Sequence, residues 1–124
     1  MNYLAIDYGT KRIGLAIAIE NIIEPIPGIK NDADIFKNIQ SVIIDYKIEK
    51  IFVGISEGEF ARLTQKFVEK LKNVLTLPIE TVEEAVSTIE ADQIYLANKN
   101  KKKNYKKTID SIAAAVILRR VIGS

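Results

Sequence analysis

The sequence has 124 residues, 18 Lys+Arg against 16 Asp+Glu, and neither Cys, His nor Trp, a length that predicts a single domain over residues 1–124. The missing Cys and His exclude a disulfide framework, a thiolate nucleophile, an imidazole base and a Cys- or His-ligated zinc site, so chemistry must run on carboxylates, Lys, hydroxyls and oxygen-bound ions such as Mg²⁺ or Mn²⁺. Met1–Asp7 carries no basic leader and no apolar run approaches the ~20 residues of a bilayer span, which predicts a cytoplasmic location and no membrane partner.

Tyr3–Asp7 reads as a short buried strand and Arg12–Ile19 as a second, with Tyr8-Gly9-Thr10-Lys11 as the turn of an antiparallel hairpin. Gly14 inside the second run points to a bulge or a close approach by another group. Ile22–Ile29 is a third strand, which Pro25 and Pro27 confine to a sheet edge. The period then changes. Asn31-Asp32 offers a helix cap, and Ile35, Phe36, Ile39, Val42, Ile43 and Tyr46 recur at helical spacing. Lys50–Ile55 is a compact strand broken by Ser56-Glu57-Gly58, after which Phe60, Leu63, Phe67, Val68 and Leu71 mark a second amphipathic helix. Pro78 precedes a strand through Ile79–Val82, Ser87 to about Leu96 reads as helical, and Ile109–Ile122 is an apolar helix. The order βββ-α-β-α-β-α-α predicts an α/β fold, a mixed sheet with helices on its faces.

Three carboxylates fall where a site could form, each with a structural alternative. Asp7 ends the first strand before a glycine turn, placed either to hold a hard cation or to bond the backbone near Gly9. Glu84 follows the last predicted strand beside Glu83, and adjacent residues point in different directions, so one of the pair at most faces a site. Asp110 starts the last helix, where an acid also serves as a cap. Ala113, Ala114 and Ala115 let that helix approach the sheet closely, carrying Asp110 toward the other two acids. Three converging acids are what a metal-assisted phosphodiesterase needs.

Charge is unevenly spread. Between Asn98 and Lys107 lie six of the 18 basic residues, among them Lys101, Lys102, Lys103, Lys106 and Lys107, and the remaining 12 face 16 acids. An acidic body with one basic loop suits a phosphate backbone, although a solvated connection would look the same.

The stretch Ile6-Asp7-Tyr8-Gly9-Thr10-Lys11-Arg12-Ile13-Gly14-Leu15-Ala16 resembles the opening motif of the YqgF/RuvX family, pre-16S ribosomal RNA nucleases that are also Holliday-junction-resolvase-like. Phe52-Val53-Gly54-Ile55, the acid-pair segment Glu83 to Ala91 and the closing segment Asp110 to Leu118 resemble further family motifs in the same order. The resemblance implies an RNase H-like fold and a nuclease of structured nucleic acid: precursor 16S ribosomal RNA at its 5′ end, or four-way DNA junctions. It implies Asp7, Glu84 and Asp110 as catalytic ligands of one or two Mg²⁺ or Mn²⁺ ions, with Lys11 and Arg12 on substrate phosphates. Ribosomal precursor particles are implied as partners, the protein being a monomer or a homodimer.

This chain also departs from the family pattern. Ala85 replaces an arginine after the acids, Ser56 replaces a proline after the central strand, and the following loop is short, leaving Glu57 as a substitute ligand. Two rival readings follow. One is a catalytically inactive RNA- or ribosome-binding module of the same fold. The other is a nucleotide-binding fragment, since Asp7-Tyr8-Gly9-Thr10 also resembles the first phosphate loop of the actin and sugar-kinase fold, whose second domain would not fit in this length.

Overall fold

Short apolar runs punctuated by Gly, Pro and charge give a strand-rich first third, and a computed structural model describes residues 1–55, 59–83 and 111–122. Among the described residues the order is β1 (Tyr3–Asp7), β2 (Arg12–Ile19), β3 (Ile22–Lys30), α1 (Ile35–Asp45), β4 (Lys50–Ile55), α2 (Glu59–Val74), β5 (Ile79–Glu83) and α3 (Ile112–Ile122). The mixed sheet runs β3-β2-β1-β4-β5. β1 lies antiparallel to β2 and parallel to β4, and β4 lies parallel to β5.

β1 sits at the centre because its Leu4-Ala5-Ile6 run is apolar on both faces and fully buried. Leu4 and Ile6 join Ile13, Leu15, Ile17, Ile51 and Val53 on one face, where α1 and α2 cover them with Ile35, Ile39, Phe67, Val68 and Leu71. The other face is made of smaller groups. Ala5, Ala16 and Ala18 with Phe52 meet Ala114, Ala115, Val116, Ile117 and Leu118 of α3. Alanine on both sides lets the helix backbone come close to the sheet, as the sequence predicts; Ala113 is only partly buried.

β2 turns into β3 through Glu20 and Asn21 alone, with φ of 52° and 67°. Two consecutive left-handed residues give the hairpin turn whose twist matches the strands. β3 is an edge strand, and its prolines at 25 and 27 remove donors that a central position would need. At Gly14 the β2–β3 ladder slips: Leu15 pairs Ile26 but Ile13 pairs Ile29, so Pro27 and Gly28 together oppose Gly14. That is the bulge predicted there, with the extra residue carried by β3.

Two expectations need correction or restriction. The helix cap is not Asn31-Asp32: Asp34 is the N-cap of α1 and makes no side-chain cap bond, while Asp32 Oδ1 accepts the Asp34 N–H at 2.9 Å. The helix predicted at 87–96, the lysine-rich segment and the start of the last helix at 109–110 lie outside the described residues. No described helix is long and apolar enough to cross a membrane.

Candidate active site

Asp7 is the last residue of β1 and is half-buried. Strand alternation puts it on the face of Ala5, which α3 covers. Its neighbour on β2 is Gly14 and its neighbour on β4 is Gly54. Neither flanking residue has a side chain to crowd the carboxylate, although both glycines are themselves buried. An Asp in mid-sheet would be costly to bury, whereas here it stands where the sheet opens to water.

The turn that follows is tightly built. A side chain at Gly9 would run into the Arg12 carbonyl oxygen. Asn31, at the end of β3, donates its Nδ2 to the Gly9 carbonyl at 2.9 Å and its backbone N–H to the Lys11 carbonyl at 2.9 Å. Asn31 therefore clamps the turn beside Asp7 instead of capping α1. Gly9→Ala is expected to lower stability by about 1–3 kcal/mol, as overpacking does. Thermal melting checks it; an unchanged melting temperature would mean the turn yields without strain.

Lys11 and Arg12 are exposed on this turn. Arg12 reaches the Gly28 carbonyl with Nη2 at 3.4 Å and pairs in register with Lys30. Like charges directly opposite each other weaken a strand pair. Lys30 is thus a third cation at this end of the sheet, and the sequence reading missed it.

Glu83 pairs with Ile55 and is exposed on the face opposite Asp7. Glu84, Asp110, Glu57, Lys101, Lys102, Lys103, Lys106 and Lys107 lie outside the described residues. Among the described residues no three Asp or Glu gather as a metal site. Ser111, however, is described and fully buried. Its Oγ accepts the Leu15 N–H at 2.9 Å, at the bulge and one residue from the Gly14 that flanks Asp7. The helix start is therefore tied to the register of Asp7 by a buried hydrogen bond, a second contact the sequence reading missed.

A family model described as RuvX: Holliday junction resolvase matches residues 1–124. A protein of Sulfurihydrogenibium sp. (strain YO3AOP1), named "Putative pre-16S rRNA nuclease", is 40% identical over 126 residues, which cover 94% of this chain and 86% of that protein. Among solved structures, the Fowlpox virus resolvase with its substrate Holliday junction DNA has a TM-score of 0.65 at 14% identity, over 98% of this chain and 96% of that one. T. thermophilus RuvC with a Holliday junction substrate has a TM-score of 0.57 at 14% identity, over 99% and 96%. These two likenesses establish the fold, an RNase H-like resolvase fold, as expected. By its full-length family match and its 40% relative, the chain belongs to the RuvX family of nucleases, hydrolases of phosphodiester bonds.

Proposed function

We propose that this protein is a divalent-metal-dependent nuclease acting at the 5′ end of precursor 16S ribosomal RNA, with four-way DNA junctions as a second substrate class. The observation that carries the reading is the Asp7 carboxylate at the end of the central strand, flanked on both sides by glycine. Glu84 and Asp110 complete the ligand set. Glu83 belongs to the face opposite Asp7, which supports Glu84 over Glu83 as the acid of the pair that serves the site. The Ser111–Leu15 bond supports the same role for Asp110, because it ties the adjoining residue to the strand pair that bears Asp7.

A donor set of carboxylates alone, in a chain without Cys or His, fits Mg²⁺ or Mn²⁺, one or two ions. Such ions, when bound, activate a water and steady the leaving 3′ oxygen. The three acids fix where that happens. Lys11, Arg12 and Lys30 hold the phosphate backbone beside the carboxylates, and Lys101, Lys102, Lys103, Lys106 and Lys107 extend the hold. Phosphate contacts position a strand without reading its sequence, so selection falls to the shape of the substrate. In this reading residues 1–124 form one nuclease unit of the cytoplasm that acts on ribosomal precursor particles. It works as a monomer or as a homodimer, the two-fold symmetry of a four-way junction favouring the dimer.

The test is cleavage of a labelled 16S precursor and a labelled four-way junction in Mn²⁺, then in excess chelator, then with Mn²⁺ restored. Cutting that stops and returns with the ion, and that favours the precursor, is the expected result. Equal binding of the precursor with no cutting in any condition would identify the inactive binding module instead. Cutting that persists in chelator would remove the metal from the mechanism.

A further inference from the structure

Across the sheet from Asp7, on the α1/α2 side, a half-open cavity of about 360 Å³ lies against Tyr8. Its size falls in the range of small-ligand sites, roughly 300–1,000 Å³. Tyr8, Phe36 and Phe67 form an aromatic wall: the Tyr8 and Phe67 rings are 4.9 Å apart, and Phe36 stacks on Phe67 at 5.8 Å. Tyr8 and Phe36 are only partly buried, so ring surface remains open to the cavity. Lys66 and Lys70, one turn apart on α2, are exposed at the same cavity, and neither has an ion-pair partner among the described residues. Asp32 also lines it, using one carboxylate oxygen on the Asp34 N–H and keeping the other for a donor.

Aromatic faces, paired ammonium groups and a hydrogen-bond acceptor are three features of a nucleotide site. Tyr8 follows Asp7 directly, with Cα atoms about 3.8 Å apart across the peptide, so a strand passing over the sheet end meets both. Asn31, also in the lining, is the residue that clamps the Gly9 turn. We propose that this cavity is a subsite for an unpaired nucleotide of the substrate strand, its base against the partly exposed Tyr8 and Phe36 rings, which the buried Phe67 backs, and its phosphate at Lys66 and Lys70. The assignment rests on the nuclease reading of Asp7.

The probe is a short single-stranded RNA carrying 2-aminopurine, titrated in chelator so that binding is read without cleavage. Wild type is expected to quench the fluorescent base as it stacks. Lys66→Ala with Lys70→Ala is expected to weaken binding about tenfold and to flatten the dependence of log K on log salt by about 0.7, the value for one single-strand phosphate contact. Tyr8→Leu is expected to abolish the quenching with the lysine contribution intact; circular dichroism confirms its fold, and the lysine pair, being exposed, keeps the test valid if Tyr8→Leu unfolds. Unchanged affinity, salt slope and quenching in the lysine pair, with metal-dependent cutting retained, overturns the subsite and leaves the nuclease reading standing. No cutting by wild type under any metal, with lysine-dependent quenching present, removes the nuclease reading and keeps a nucleotide site. Adenosine monophosphate that displaces the RNA base more tightly than the strand binds would assign the cavity to a free nucleotide and overturn the strand assignment.

Discussion

Asp7→Asn is expected to lower Mn²⁺-supported cleavage by more than about a hundredfold while leaving the fold and metal-free RNA binding in place. The amide has nearly the carboxylate's shape, and it enters a half-buried strand end between Gly14 and Gly54, so no packing is lost. What disappears is one negative charge and an anionic oxygen ligand. Altering the outer partners of a metal ligand already costs about 10–100-fold, and loss of the ligand itself should exceed that, more than about 2.7 kcal/mol of barrier. Binding in chelator should hold or tighten, because a charge facing the phosphates has been removed. Single-turnover cleavage, thermal melting and anisotropy of labelled RNA separate the cases. Cleavage at the wild-type rate would sink the ligand role; a large drop in melting temperature would make Asp7 a backbone-bonding turn residue instead.

Most of the frame was legible in sequence because short apolar runs carry their own boundaries. The strands read at 3–7, 12–19 and 50–55 are β1, β2 and β4 as found. Asp7 could be singled out because it ends such a run before a turn. Lys30 could not, and the reason is arithmetic. Counting back from the Glu20-Asn21 turn, an unbroken ladder sets Ile29 opposite Arg12; the bulge adds one residue to β3 and brings Lys30 there. Local sequence signals a bulge near Gly14 but does not say which strand carries the extra residue. Asn31 misled for a different reason. Its amide suits a helix cap as well as a turn clamp, and the choice was made by the Gly9 carbonyl 22 residues away. Ser111 is the extreme case, a small polar residue at a helix start whose partner is 96 residues distant. The same distance hides the split between cap and ligand for Asp110, since both roles ask for an acid at that position.

Ser111→Ala is the second large effect to expect, and it acts on stability and on the site together. The hydroxyl is fully buried and is the acceptor for the Leu15 N–H. Alanine leaves that donor buried without a partner, which costs about 1–3 kcal/mol and should lower the melting temperature by about 5–10 °C for a chain of this size. The Leu15 amide should also lose protection in hydrogen exchange. Beyond stability, the bond ties the start of α3 to the strand that flanks Asp7 through Gly14. Position 110, one residue earlier, loses that anchor, and misplacing one ligand of a metal set by about 1 Å is enough for large rate losses. Cleavage should therefore fall about tenfold or more at temperatures where the variant is wholly folded, with RNA affinity in chelator unchanged. If cleavage per folded molecule is instead that of the wild type, Ser111 is a stability residue alone, and the support it lends to Asp110 as a ligand is withdrawn.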